Sequence, residues 1–371
     1  MQGASYSMEA SMVGRRMHLS ANGVRLIPFR IIRIPALKHG VTPDPADVSQ
    51  KGSKTMNAKH LFLPMLALAL AAGTAVQAQD TNSTEGRAII TVLSKHDKSP
   101  APAVSPSDIK VSVDGKPAQV ASLVASQSPD ARIEFVILID NTARASLAIQ
   151  FGDIRHFVRN LPPNARVALG YMNYGSVQMA TPLTHNRDAV MKSLRITSGP
   201  AYSNGSPYFC LSELAKHWPS SDMKAQREVL MITDGIDNYE RRFDPEDPYV
   251  QTAIQDATRA RLVVYTLYWH GRGNPGSSSY VGNGGQNLLM EVSSATGGYS
   301  YWQGFGNPVS FEPFLNDLNQ RLRNQYEMTI KAPYSGKDSM LSMHFHLDAK
   351  DAKATAPEQV YVYHPNGSPM D

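Results

Sequence analysis

Two apolar runs in the chain each stop on a carboxylate, and those two carboxylates are the side chains best placed to do chemistry. Ile133 to Asp140 reads I-E-F-V-I-L-I-D and continues Asn141-Thr142-Ala143-Arg144; Val229 to Asp234 reads V-L-M-I-T-D and continues Gly235-Ile236-Asp237. An Asp-x-Asp pair would suit phosphoryl transfer, with one carboxylate attacking and the other serving as acid and base. Asn141 and Thr142 supply no such second carboxylate, which disfavours transfer chemistry. A serine hydrolase is disfavoured too, because no GxSxG elbow stands in order with an acid and a histidine. No catalytic set appears, and the expectation is a protein without enzyme activity. A hydrolase or phosphotransfer enzyme using Asp140 or Asp234 is the rival reading.

Other motifs are weaker. Gly271-Arg272-Gly273-Asn274-Pro275-Gly276 matches GxGxxG after an apolar stretch, with Glu291 further on. Pro275 and the Gly- and Ser-rich run to Gly285 deny the helix start that would hold a pyrophosphate, so a loop rimming the same edge is favoured over a dinucleotide site. His344 and His346 alternate on one strand face without a third ligand nearby, which reads as an exposed polar face. Cys210 is the sole cysteine; it allows no internal disulfide and reads as buried and inert. Tyr171, Tyr174, Tyr265 and Tyr268 read mostly as packing, while Tyr202 and Tyr208 beside Ser203-Asn204-Gly205-Ser206-Pro207 are candidates for a recognition surface.

The elements that must position the carboxylates follow from periodicity. An uninterrupted β-branched run ending on an acid predicts a central parallel strand, buried on both faces, that delivers the acid to the sheet's carboxyl edge, where open α/β sheets bind ligands. From Arg132 to about Gln325 short apolar strands alternate with amphipathic stretches, which predicts an α/β fold with a doubly wound, mostly parallel sheet. The spacing predicts further strands over 165–173, 177–182 and 262–269. It predicts helices over 146–160, 188–194, 207–217, 248–260, 286–296 and 313–324. Right-handed crossovers put both carboxylate strands on one edge. Residues 88–128 and 326–366 hold short strands over 88–93, 109–113, 118–124, 326–331, 339–347 and 359–363, read as a small accessory β unit built from both flanks.

The amino-terminal residues read differently. Met56 opens a short polar stretch with Lys59 and His60, followed by the apolar run Leu61 to Ala72 and the small-residue pattern Val76-Gln77-Ala78. Residues 56–78 therefore read as a signal peptide, 79–87 as a disordered linker, and 1–55 as a gene-model extension or disordered. No stretch has the length of a membrane span, so the mature chain is expected to be exported, periplasmic or secreted, without one. The 42% hydrophobic and 18% charged content describe a globular chain long enough for one or two domains. Its 36 basic and 32 acidic residues give a net +4, but taking away eight basic and three acidic residues before Met56, and Lys59, leaves 27 against 29, a net −2. The basic balance belongs to the removable part, and no nucleic-acid partner is expected.

Asp140-Asn141-Thr142-Ala143-Arg144, Asp234-Gly235-Ile236-Asp237 and a late Thr296-Gly297-Gly298 resemble, in order and spacing, the von Willebrand factor A (VWA) domain over roughly Arg132 to Gln325. The flanks, especially Val111 to Pro117 and Asn324 to Ile330, are similar to bacterial secreted proteins related to that domain. The resemblance implies adhesion-type protein binding at the carboxyl edge. It also implies, in many members, a Mg²⁺ ion on a DxSxS motif, a later Thr and an Asp after the fourth strand. Asp140, Thr142 and Asp234 match that set; Arg144 replaces the second Ser, and Gly205 stands where the Thr is expected, with Ser206 one position off. Mg²⁺ demands six oxygens in an octahedron, and arginine offers none. The favoured expectation is a degenerate site without a metal, in which the Arg144 guanidinium bridges Asp140 and Asp234. A second is that Arg144 swings out and Ser146 or Ser206 completes a Mg²⁺ site with Asp140, Thr142 and Asp234; a third is a purely structural role for the carboxylates. The expected protein-binding edge comprises Asp140, Asn141, Thr142, Arg144, Ser203, Ser206, Asp234 and Asp237.

Overall fold

A computed structural model describes residues 83–363, apart from 97–98, 130, 201–204, 240–245, 274–278, 305 and 334–335. The expected extension, the signal peptide, Tyr202, Ser203 and Asn204 lie outside the described residues.

Three strands come first: β1 (Ser83–Ser94), β2 (Ile109–Val113) and β3 (Lys116–Ala125). Asp114 and Gly115 join the last two with φ of 47° and 74°, the left-handed pair that a two-residue hairpin requires. The sheet carrying the carboxylates follows, with β4 (Ile133–Asp140), β5 (Ala165–Asn173), β6 (Ser176–Met179), β7 (Gln226–Thr233), β8 (Leu262–Tyr268) and β9 (Ser300–Tyr301). Its helices are α1 (Phe151–Asn160), α2 (Arg187–Lys192), α3 (Pro207–Lys216), α4 (Pro248–Arg259), α5 (Tyr280–Ala295) and α6 (Glu312–Arg323). The chain ends in β10 (Gln325–Pro333), β11 (Ser339–Leu347), β12 (Ala352–Thr355) and β13 (Gln359–Val362).

The strand order is β6-β5-β4-β7-β8-β9, with β6 antiparallel to β5 and the other pairings parallel. Every residue of β4 and β7 is buried. Phe135, Ile137 and Ile139 pack with Ile154 and Phe157 of α1 and Leu318 of α6. Val136 and Leu138 point the other way, to Leu211 of α3, Ile254 of α4 and Val292 of α5. Helices on both faces are the reason these strands read as continuous apolar runs rather than alternating ones. Phe135 meets Phe157 edge to face at 5.4 Å, and truncating such a core ring costs about 3–5 kcal/mol. Ile139 stands opposite Ile232, which brings Asp140 beside Thr233 and sends Asp234 out at the same edge.

Glycines explain two departures from periodicity. Helix α5 begins at Tyr280, capped by Ser279, and runs through Gly282, Gly284 and Gly285, a stretch that composition had excluded from a helix. A Cβ on Gly285 would lie 2.4 Å from the Asp234 carbonyl oxygen, so close packing on the loop after β7 overrides helix propensity. In Thr296-Gly297-Gly298, the Thr296 hydroxyl accepts from Val264 N–H at 3.1 Å, and a Cβ on Gly298 would lie 2.0 Å from the Val264 carbonyl oxygen.

The flanking strands are more than the expected small accessory sheet. They form a seven-stranded antiparallel set in the order β10-β3-β2-β11-β13-β1-β12, and an additional β10–β1 pairing closes it into a barrel. Ile90, Val92, Val111, Met328, Ile330 and Val360 fill its interior. Closure satisfies strand edges that a small open sheet would expose. It starts earlier than composition indicated, since β1 opens at Ser83 inside the stretch read as linker. Strand β12, short and containing Lys353, carries no periodic signal. Ser126 donates to Gln226 Oε1 at 2.6 Å, and Gln325 donates to the Tyr265 hydroxyl at 2.9 Å, tying the barrel to the start of β7 and the middle of β8.

Candidate functional site

Asp140 is 9% exposed at the end of β4. Its Oδ1 accepts from the Thr142 N–H at 2.8 Å and from the Thr142 hydroxyl at 2.7 Å, while Oδ2 accepts from the Thr233 hydroxyl at 2.8 Å. Burial pushes the carboxyl above its ordinary 3.8, and the three hydrogen bonds oppose that rise. Beside it Thr142, Tyr174, Gly205, Ser206 and Cys210 help line a cavity of about 20 Å³, room for one water. Cys210 is buried, and its thiol is pushed up by burial first and then by Asp140 and Glu213.

Asp234 is buried in its own turn. Its Oδ1 accepts from Ile236 N–H at 3.1 Å and Oδ2 from Gly271 N–H at 3.1 Å. Gly271 is held so close that a Cβ there would lie 2.5 Å from Oδ2. The first glycine of the GxGxxG stretch therefore serves this carboxylate. Arg144 joins the same loop: its N–H donates to His270 O at 2.9 Å, and its Nε donates to Gly271 O at 3.3 Å. His270 is buried, and burial followed by the Arg144 charge pushes its imidazole below 6.5.

The expected guanidinium bridge between the carboxylates is not formed. Every hydrogen bond on Asp140 comes from Thr142 and Thr233, and the exposed Arg144 side chain reaches the Gly271 carbonyl instead. Two threonine hydroxyls close at hand satisfy a buried carboxylate without a long side chain having to fold back over the edge.

Most of the other expected edge residues point inward. Asn141 is 8% exposed; its carbonyl accepts from Gly199 N–H at 2.8 Å and its Oδ1 from Arg195 Nη1 at 3.0 Å, which fixes the loop before α3. Ser206 caps α3, accepting from Tyr208 N–H at 3.2 Å. Tyr208 itself is buried and donates to Gly235 O at 2.8 Å, which removes it from any recognition surface. Asp237 is buried and accepts from Tyr239 N–H at 2.7 Å. Thr142 is half-buried. His344 and His346 are exposed on β11 of the barrel. Thr233 and Gly271 were missed as site residues; Thr233 directly precedes Asp234, and Gly271 opens the GxGxxG stretch.

A divalent ion here would compete with protein donors already on these oxygens: Thr142 and Thr233 on Asp140, Gly271 on Asp234 Oδ2, and the Tyr208 N–H on Ser206. Among the described residues no group of three His, Cys, Asp or Glu side chains comes together.

No family model and no curated protein matches this chain. Solved structures that it resembles include a von Willebrand factor type A protein from Catenulispora acidiphila, at 11% identity over 77% of this chain and 75% of that one, with a TM-score of 0.39. BatB from Bacteroides thetaiotaomicron follows at 16% identity, 51% and 97% coverage and a TM-score of 0.35. The pilus adhesin SpaC from Lactobacillus rhamnosus GG stands at 10%, 74% and 49% coverage and a TM-score of 0.38. At such scores the likeness is loose, and the site is read from its own residues. The fold is an α/β sheet flanked by helices on both faces, joined to an antiparallel barrel. Adjacent parallel strands β4 and β7 bring Asp140 and Asp234 to one edge, and the late Gly297-Gly298 turn packs beneath β8.

Proposed function

We propose that this protein binds a protein partner through the carboxyl edge of its α/β sheet, in an adhesion-type role that needs neither a metal ion nor catalysis. The observation that carries the reading is where the exposed apolar side chains stand. Ten large hydrophobic residues are exposed among the described ones; Ile149, Tyr174, Ile196, Tyr239 and Val309 lie in the connections at this edge, and Tyr280 opens α5, the helix that follows β8. Scattered singly, such residues need no explanation; gathered at one end of a sheet, they suit a partner's surface. Tyr239 is braced edge to face by Phe209 at 5.2 Å and by Tyr249 at 5.3 Å, so it can be buried by a partner at little entropic cost. Exposed Arg144 adds a residue type enriched in interface hot spots. The buried carboxylates, on this reading, hold the loops in place beneath. A non-catalytic role is supported by the cavity beside Asp140, which accommodates a water and not a substrate.

Export into a periplasm or beyond the cell is part of the proposal and rests on the signal-like residues 56–78. Among the described residues no helix is long and apolar enough to cross a membrane. The test is capture from envelope extract by immobilised wild type, by Tyr174→Ser/Tyr239→Ser/Val309→Ser and by Asp140→Asn. A defined partner held by wild type and Asp140→Asn but lost by the triple variant is expected. Equal capture by all three, or turnover of an ester or phosphate that Asp140→Asn abolishes, overturns the reading.

A further inference from the structure

Strand β9 is the last of its sheet and pairs only with β8 among the described strands. Beside it α5 and α6 leave a cavity of about 670 Å³. Small-molecule sites span about 300–1,000 Å³, so the space is of ligand size. Its walls are aromatic. Tyr299 and Tyr301 stand 5.0 Å apart, Tyr301 lies 5.9 Å from Phe314, and Trp302 lies 6.1 Å from Phe314. Trp302 holds its ring there from a left-handed backbone, φ 66°, with its indole N–H donating to Gly306 O at 2.9 Å.

Asp317 and Arg321 supply the polar side. Arg321 is 8% exposed, and its guanidinium lies 4.2 Å from the centre of the Tyr299 ring. Its Nε donates to Asp317 Oδ2 at 2.6 Å, and the Tyr301 hydroxyl donates to the same oxygen at 2.7 Å. These contacts use one nitrogen and one oxygen. Nη1 and Nη2 of Arg321 and Oδ1 of Asp317 have no hydrogen-bond partner among the described residues. Arg321 is 8% exposed as a residue, and its unpartnered Nη atoms keep contact with solvent at the cavity, where they are available to an occupant.

The chemistry of that occupant follows from the charges. Among the described residues lining the cavity, Asp317 and Arg321 are the charged ones, and they neutralise each other. A net-neutral wall selects neither an anion nor a cation. It presents a charged acceptor next to two charged donors, which matches a pair of neighbouring hydroxyls, each able to give and accept a hydrogen bond. The aromatic faces, negative at their centres, complement the C–H faces of a saturated ring. We propose that this cavity is a saccharide site taking a pyranose ring, with its hydroxyls on Asp317 and Arg321 and its C–H face on Trp302 or Phe314.

Saturation-transfer NMR on the full chain tests this with the methyl glycosides of glucose, mannose, galactose and N-acetylglucosamine at millimolar concentration. 3-Phenylpropionate serves as the apolar-anion alternative. Transfer to the ring protons of at least one glycoside is expected, weakened at least about tenfold, or about 1.4 kcal/mol, by Asp317→Asn and by Trp302→Ala. Circular dichroism monitors folding; should Asp317→Asn unfold, Trp302→Ala, which leaves the ion pair intact, decides. Absence of transfer from every glycoside, transfer unaffected by Trp302→Ala, or binding of 3-phenylpropionate alone overturns the proposal.

Discussion

The hydroxyl of Thr233 donates to Oδ2 of Asp140 across 2.8 Å, joining the ends of two adjacent parallel strands whose residues are 93 positions apart. Both groups are buried, so the bond has no ready replacement from water. Thr233→Val keeps the shape and removes the donor, leaving a carboxylate oxygen unsatisfied. Destabilisation by about 1–3 kcal/mol is expected in urea unfolding, and Thr233→Ser should retain most of the stability. A valine variant as stable as wild type would show that this hydrogen bond contributes nothing.

Asp140 adds a pH dependence whose sign can be worked out. Burial raises its folded pKa above the ordinary 3.8. Its contribution is therefore most favourable below 3.8 and is lost as pH rises through the folded pKa. Asp140→Asn removes the titration while its carbonyl still accepts from Thr142 and its amide can donate to the Thr233 oxygen. The variant is expected to equal or exceed wild type in stability at neutral pH, with the gap closing as pH falls toward 3.8. Asp140→Ala, which strands the threonine donors, should instead cost about 1–3 kcal/mol. Urea midpoints across the pH range decide; a widening advantage for asparagine under acid would contradict the sign.

Gly271 is constrained by Asp234. The Cβ of alanine would lie 2.5 Å from Asp234 Oδ2, so Gly271→Ala is expected to cost about 1–3 kcal/mol. In an Asp234→Ala background the methyl has room, and the penalty should shrink by at least about 0.5 kcal/mol. A double-mutant cycle showing strict additivity would place the strain elsewhere.

Divalent ions provide the fourth check. An ion bound to the folded state at a hundred times its Kd would stabilise by about 2.7 kcal/mol. With the oxygens of Asp140 already satisfied, the melting temperature is expected to be the same in millimolar Mg²⁺, Mn²⁺, Ca²⁺ or chelator. A rise with any ion that disappears in Asp140→Ala would restore the metal-dependent reading.

Much of the α/β part was legible because its signals are local. Strands β2, β4 and β5 occupy the ranges their apolar patterns predict, and Pro207 and Pro248 mark the starts of α3 and α4. What escaped was set by contact rather than pattern. Strand β9 has two residues, too few for a period. The first turns of α5 are glycine-rich because the loop after β7 presses on them. Barrel closure pairs β1 with β10, residues such as Gly86 and Ile330 that no local signal connects.

By itself the sequence determined that two strands would be buried on both faces and would end on Asp140 and Asp234. Continuous apolar runs are stable when both faces of the strand are covered, and an acid that ends such a strand is delivered to the sheet's edge. It also determined, through Arg144 and Gly205, that the edge would depart from the metal-binding pattern it resembles. Which groups satisfy Asp140, and where Arg144 goes, was decided by the tertiary structure. Thr233 and Gly271 stand 93 and 127 positions from their partners, and hydrogen bonding depends on distance in space. The same holds for the exposure of Ile149, Tyr174, Ile196, Tyr239, Tyr280 and Val309, which no local pattern of the chain signals.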